Sequence, residues 1–128
     1  MKILKVFLLF SVLHLVGWVG AHWYRSANPD EVLLVVDTSI SMKPAFPKMQ
    51  EWITDFEASG RYQTITVGTD KAEIGRLDEL KSKESIFRTV YGRMTSESLQ
   101  RYESSSAATR ILLSDGSVKP AGWTLVEF

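Results

Sequence analysis

The chain has 128 residues, which is enough for one small domain, and its 15 basic and 15 acidic residues cancel. It contains no cysteine, which excludes a disulfide scaffold, a thiol nucleophile and a cysteine-based zinc site. The two histidines, His14 and His22, lie near the N-terminus, so the rest of the chain has neither a Ser-His-Asp triad nor a histidine metal site. Lys2, Lys5 and Arg25 are the only charged residues before residue 26, so the remainder is mildly acidic, which argues against nucleic-acid binding.

An apolar segment of 19 residues, Val6 to Tyr24, follows the first two lysines, and no Asp, Glu, Lys or Arg interrupts it. As a helix it covers about 28 Å at about 1.5 Å per residue, which is nearly the hydrocarbon thickness of a bilayer. Trp18, Trp23 and Tyr24 lie towards its far end, where interfacial aromatic anchors are common. Residues 6–24 therefore predict a membrane-spanning helix, through which the chain would contact the membrane.

We predict that residues 1–25 are a transmembrane signal anchor, with a cytoplasmic N-terminus and the domain exported to the periplasmic or extracellular side. The alternative is a signal peptide that is cleaved after Ala21, because Val19-Gly20-Ala21 presents acceptable small residues before such a cut. The domain would then be secreted. In both cases residues 26–31 are a linker and residues 32–128 are the folded domain.

The folded part begins with a continuous apolar run, Val32 to Val36, which predicts a strand buried on both faces. A loop over Asp37 to Pro47 leads into an amphipathic helix that we predict over Pro47 to Ala58, and Ser59-Gly60 ends it. Tyr62 to Val67 predicts a second strand by its β-propensity.

Apolar residues from Leu77 to Met94 recur every three or four positions and predict a second amphipathic helix. The mixed-charge stretch Lys71 to Lys83 is interpreted as a solvated helix face, and Asp70 as a turn residue. The remaining predicted elements are a short helix and two strands: Ser96 to Tyr102 with Thr95 or Ser96 as its cap, Ile111 to Leu113, and Trp123 to Phe128. This order predicts an α/β fold, a three-layer sandwich around a mostly parallel sheet.

Polar residues follow the predicted strands at the edge where open α/β sheets bind ligands. The three clusters are Asp37, Ser39 and Ser41 after the first strand, Thr95 at a helix start, and Asp115 after the third strand. Their useful atoms are all carboxylate or hydroxyl oxygens, which suit a hard cation such as Mg²⁺. The sequence therefore predicts a divalent-cation site at this edge.

The segment Leu33 to Met42 (LLVVDTSISM) resembles the Asp-x-Ser-x-Ser metal-site segment of von Willebrand factor A-type domains. Thr95 is similar to that family's isolated threonine, and Ile111 to Gly116 (ILLSDG) to its strand ending in Asp-Gly. The match runs from Glu31 to about Gly116, in a domain about half the usual family size. An antiparallel edge strand, a helix after Asp115 and the terminal strand and helix are expected to be shortened or absent.

The resemblance implies that Ser39 and Ser41 bind Mg²⁺, or Mn²⁺ or Ca²⁺, directly. It implies that Thr95 binds directly or through water, and that Asp37 and Asp115 act mostly through water and hydrogen bonds. That family usually uses the site to dock an acidic residue of another protein, so the expected function is divalent-cation-dependent protein binding. The protein is then expected not to be an enzyme.

Two alternatives remain open. A phosphohydrolase of the haloacid dehalogenase type would use Asp37 as nucleophile with Thr69, a lysine and Asp115, but it needs an aspartate where Ser39 stands. A metal-free structural module would join a membrane complex through its sheet edge or its membrane helix. In that case Asp37 and Ser39 form a turn, Thr95 is a helix cap, and Asp115 ends a strand.

Overall fold

The computed structural model describes residues 1–128. Its first element, α1, runs from Lys2 to Ala27, and none of its 26 residues is buried by the rest of the chain. With a mean hydropathy of 2.0 in its most apolar window, α1 is long and apolar enough to span a membrane or to serve as a signal sequence. The first strand, β1, begins at Asp30, so only Asn28 and Pro29 separate the two elements.

The folded part contains a five-stranded mixed sheet with the strand order β3-β2-β1-β4-β5. The strand β1 (Asp30–Val36) pairs in parallel with both β2 and β4, β4 pairs in parallel with β5, and β2 pairs antiparallel with β3. The predicted α/β class is confirmed. The other strands and the two helices of the domain are β2 (Gln63–Thr69), β3 (Glu73–Arg76), β4 (Thr109–Ser114), β5 (Thr124–Glu127), α2 (Phe46–Ser59) and α3 (Ser96–Gln100).

The central strand β1 is buried on both faces, as its continuous apolar run predicts. Leu34 and Val36 pack into a cluster that includes Met49 and Ile53 of α2. Leu33 and Val35 point to the opposite face, where the second cluster includes Leu99 and Tyr102 on or next to α3. Fully burying one such aliphatic side chain contributes roughly 1.5–3 kcal/mol, so β1 anchors the two sides of the domain to each other.

The helix predicted from Leu77 to Met94 is wrong. Two short 3₁₀ turns, Leu77–Glu79 and Lys83–Phe87, occupy this part of the chain directly after β3, and a loop follows them. The reason is that the apolar residues are divided between two faces of the sheet. Leu77 and Ile86 enter the cluster beside α2, whereas Met94 enters the one beside α3, and a single straight helix could not supply both.

A second interpretation of the same region is also wrong. The mixed-charge stretch from Lys71 to Lys83 is not a helix face, since it contains β3 and the first 3₁₀ turn. An antiparallel edge strand is present as β3, and with four residues it is short rather than absent. The chain after Asp115 forms no helix before β5, as expected. The helix predicted at Pro47–Ala58 is confirmed as α2, and β5 confirms the last predicted strand.

Candidate functional site

Three aspartates stand side by side at the carboxyl edge of the parallel strands. Asp37, Asp70 and Asp115 each come one residue after the end of β1, β2 and β4. The register aligns Val36 with both Thr69 and Leu113, which places the strand ends level with one another. This edge therefore gathers Asp37 and Asp115, as the sequence predicts, together with Asp70, for which the sequence predicts only a turn.

Asp37 is buried, with only 2% of the residue exposed. Its Oδ1 atom accepts a hydrogen bond from the backbone amide of Ser39 at 2.9 Å. Burial raises the pKa of the Asp37 carboxyl above its ordinary value, and the nearby charges of Asp70 and Asp115 raise it further, while the hydrogen bonds from Ser39 oppose the shift. The ionised form of Asp37 is therefore held at this edge at a cost in free energy.

A pair of serine hydroxyls lies next to this carboxylate. The Oγ atoms of Ser39 and Ser41 are 3.3 Å apart, and Ser39 is buried whereas Ser41 is exposed. The 3₁₀ turn Ile40–Ala45 starts here, with the Met42 amide donating to the Ser39 carbonyl and the Met42 side chain packed in the core. The loop after β1 thus holds a carboxylate and two hydroxyls together, in agreement with the predicted cluster.

Asp70 is the functional candidate that sequence reasoning missed. Its Oδ1 atom accepts hydrogen bonds from the Thr38 amide at 3.1 Å and from the Thr38 hydroxyl at 2.7 Å. The Lys71 ammonium lies 3.1 Å from both carboxylate oxygens and donates to the Thr38 hydroxyl at 2.8 Å. The position of Asp70 directly after a strand, like that of Asp37, was the signal that could have identified it.

The Asp70–Lys71 pair is mostly shielded from water. The Asp70 side chain is 2% exposed and the Lys71 side chain 16% exposed. Lys71 also lies over the ring of Tyr91, with its Nζ atom 4.8 Å from the ring centroid. These contacts join the loop after β1 to the loop after β2, so they fix the geometry of the edge on that side.

Asp115 is exposed and forms a turn at the end of β4. Its Oδ1 atom accepts the Ser117 amide at 3.0 Å, and hydrogen bonding to Ser117, with help from the charge of Arg93, lowers the pKa of the Asp115 carboxyl. Gly116 has a φ of 83°, a conformation that favours glycine in such a turn. Asp115 therefore stays ionised in mild acid and contributes a negative charge to the field at Asp37.

Thr95 is the N-cap of α3, which confirms the helix-cap interpretation. Its Oγ1 atom accepts the Ser98 amide at 3.2 Å, and the Ser98 hydroxyl lies 3.4 Å from the Thr95 amide, so the two residues form a capping box. All side-chain hydrogen bonds of Thr95 are made with Ser98, and the residue is exposed. Its role as a metal ligand stays a prediction.

The oxygen atoms at this edge are of the kind that a hard cation can bind. Asp37, Ser39 and Ser41 offer carboxylate and hydroxyl oxygens from a single loop, and Asp115 adds charge nearby. The chain has no group of three or more His, Asp or Glu side chains arranged around one point. A cation held here would depend on hydroxyls, on water and on an oxygen from outside the chain.

A second polar feature lies away from this edge. A cleft of about 370 Å³ opens on the α3 face of the sheet, with Thr64 and Thr66 of β2 among its lining residues together with Glu31 and Arg101. These threonines alternate with Ile65 and Val67, which are buried on the α2 side. β2 is thus half-solvated, and the cleft is the part of the sheet face that α3 is too short to cover.

Comparisons with protein-family models, with curated proteins and with solved structures found no match to this chain. A functional proposal for it therefore depends on its own residues and contacts. The strongest of these are the buried Asp37 carboxylate, the Ser39–Ser41 hydroxyl pair and the neighbouring Asp70–Lys71 ion pair.

Proposed function

We propose that this protein is a membrane-anchored, abbreviated von Willebrand factor A-like domain that binds a protein partner through a divalent cation. The cation is Mg²⁺, with Mn²⁺ or Ca²⁺ as substitutes, and the domain lies on the periplasmic or extracellular side of the membrane. It acts by binding rather than by catalysis. The observation that carries the proposal is the buried Asp37 carboxylate, with its raised pKa, beside the Ser39–Ser41 hydroxyl pair.

The contrast between the two buried aspartates supports a cation at Asp37. Asp70 has an internal counter-ion in Lys71, whereas Asp37 forms no ion pair and relies on hydrogen bonds from its own loop. A buried carboxylate without a counter-ion is costly, and a divalent cation would offset that cost. The burial of Asp37 is therefore explained if the folded domain is matched to an external cation.

The architecture supports the same proposal. In our interpretation the domain is a reduced three-layer sandwich around a mostly parallel sheet, with α2 on one face and α3 on the other. Ser39 and Ser41 would bind the cation, Asp37 and Asp115 would hold its waters, and Thr95 would reach it directly or through water. Neutral hydroxyls leave the cation electrophilic, so an acidic side chain of the partner would complete its coordination.

The metal-free structural module is the second candidate, and two observations favour it. Lys71 already supplies a cation to one side of the edge, and the Thr95 hydroxyl is already used as a helix cap. The phosphohydrolase alternative has less support. The Thr69 hydroxyl bonds the Ala72 carbonyl, and the Lys71 ammonium is held by Asp70 and Thr38 rather than by Asp37.

The experiment that tests the proposal is thermal unfolding of the full chain in detergent micelles during a titration with Mg²⁺ or Mn²⁺. Saturating stabilisation is expected, and at a hundredfold excess over Kd it amounts to about 2.7 kcal/mol. Ser39→Ala should remove the response, because it deletes a proposed ligand.

The matched control is Ser104→Ala, an exposed serine that lines the cleft away from the carboxyl edge. It should respond like the wild type. A folded wild-type protein that shows no stabilisation by either cation would overturn the metal site and favour the structural module. An equal response in the Ser39→Ala variant would place any cation elsewhere in the chain.

A further inference from the structure

One stripe of α1 differs from the rest of its apolar surface. Phe10, His14, Gly17 and Ala21 recur at intervals of four, three and four residues, and since consecutive helical residues are about 100° apart they lie on one face. We call these four residues the His14 stripe. Most other residues of the segment are large and apolar. All residues of the segment are exposed except Ser11, which is half-buried.

His14 is the polar group in this stripe that needs an explanation. It lies in the middle of the apolar segment, and its only described contact is with the ring of Phe10, at a centroid distance of 5.3 Å. His22 at the membrane end, by contrast, has a hydrogen-bond partner in the Tyr62 hydroxyl of the folded domain. Inside a bilayer, polar side chains without a partner are costly and usually face another protein segment.

We propose that α1 pairs in parallel with α1 of a second copy of this chain, along the His14 stripe, with the two imidazoles hydrogen-bonded across the interface. This inference rests on the membrane-anchor part of the proposed function and not on the metal site. A neutral imidazole carries one donor and one acceptor, so an identical ring can satisfy it. Two copies inserted with the same orientation also place their His14 side chains at the same depth.

Gly17 and Ala21 make the close approach of two such helices sterically possible. They form a small-xxx-small pair, and this spacing lets membrane helices come close enough to pack their backbones. A Cβ atom added at Gly17 would meet nothing within 4 Å in the chain itself. The fold of one copy therefore does not require glycine there, whereas the helix pair uses the space that glycine leaves.

The absence of cysteine allows a direct test in the full chain, because a single introduced cysteine is the only thiol. The full-length protein is reconstituted into phosphatidylcholine vesicles and oxidised. Ala21→Cys, in the stripe, should form a disulfide-linked dimer. Val19→Cys, almost half a turn away around the helix, should stay monomeric under the same conditions.

Substitutions in the stripe then measure its contribution. His14→Leu and Gly17→Leu, each combined with Ala21→Cys, should lower the cross-linked fraction about threefold to tenfold. Gly20→Leu is the matched control. It makes the same change in the same helix, and a Cβ atom there also meets nothing within 4 Å, but it lies outside the stripe.

Equal cross-linking at Ala21 and Val19, or none at either, would overturn the helix pair. So would a Gly20→Leu effect as large as that of Gly17→Leu. If the cation titration shows no metal site, the cross-linking results are unaffected, because the two experiments examine different parts of the molecule. Removal of the first 21 residues from the mature protein would exclude the pair outright.

Discussion

Asp37 and Asp70 occupy equivalent positions after neighbouring parallel strands, yet Asp70 has a lysine partner and Asp37 has none. That difference is not apparent from the sequence, where both residues directly follow a strand of the sheet. The position of Asp37 directly after an apolar run was sufficient to predict its place at the carboxyl edge of the sheet. The partnership of Asp70 with Thr38 was not predictable, because it joins residues 32 positions apart.

The Asp37→Asn variant tests the cost of burying Asp37. Its pKa is raised in the folded state, so its contribution to stability is greatest below the ordinary value of 3.8 and is lost as the pH rises through the raised value. Without metal at neutral pH, the variant should therefore melt at a higher temperature than the wild type and should not respond to Mg²⁺. The difference in Tm should shrink as the pH falls towards 4, and a variant that is less stable at neutral pH would contradict this account.

The Lys71→Met variant tests the neighbouring ion pair. Removal of the ammonium leaves the buried Asp70 carboxylate without its counter-ion, and the expected loss is about 3–5 kcal/mol in the free energy of unfolding, measured with denaturant. The double variant Asp70→Asn with Lys71→Met should recover most of it, since no charge is then buried. If the single and double variants are equally unstable, the loss comes from packing against Tyr91 instead.

At the scale of elements, β1 and β4 were the most predictable strands of the sheet. β1 and β4 are marked by short apolar runs. Each observed strand extends its run by at most two residues at either end. The failure lies between Leu77 and Met94, where a three-to-four-residue spacing fits one helix as well as it fits separate turns. Ser82 caps the second of these turns by accepting the Glu84 amide, which starts a new element there.

The short helix α3 allows the two roles of Thr95 to be separated. Thr95→Ala should cost about 1 kcal/mol in stability because the N-cap is lost. Thr95→Asn should keep that stability, since asparagine is an equally good cap, while altering any contribution to cation binding. Unchanged cation affinity in a stable Thr95→Asn variant would remove Thr95 from the proposed site, and denaturant unfolding with cation titration measures both quantities.

At the scale of the whole molecule, length and residue order predicted the α/β class, and the edge that gathers Asp37 and Asp115 follows from it. The mixed nature of the sheet was less accessible, because the four residues of β3 carry little strand signal of their own. The N-terminal helix was apparent from its uninterrupted apolar run.

The fate of α1 gives the whole-molecule prediction. We expect the mature protein to keep its first 21 residues and to remain with the membrane fraction after a high-salt wash, since an apolar helix of this length is held by its contact with lipid. Intact mass measurement of the native protein checks this directly. A mass that corresponds to a chain beginning at His22 would identify a cleaved signal peptide and a secreted domain.

The two residues between α1 and β1 also limit how far the site can reach. From Ala27 to Asp37 the chain extends at most about 35 Å, even when fully stretched, and β1 alone accounts for about 23 Å of that. A long flexible stalk would let a binding site sample a wide volume around its anchor. If α1 anchors this domain, the proposed site can meet only partners that lie within a few nanometres of the lipid surface.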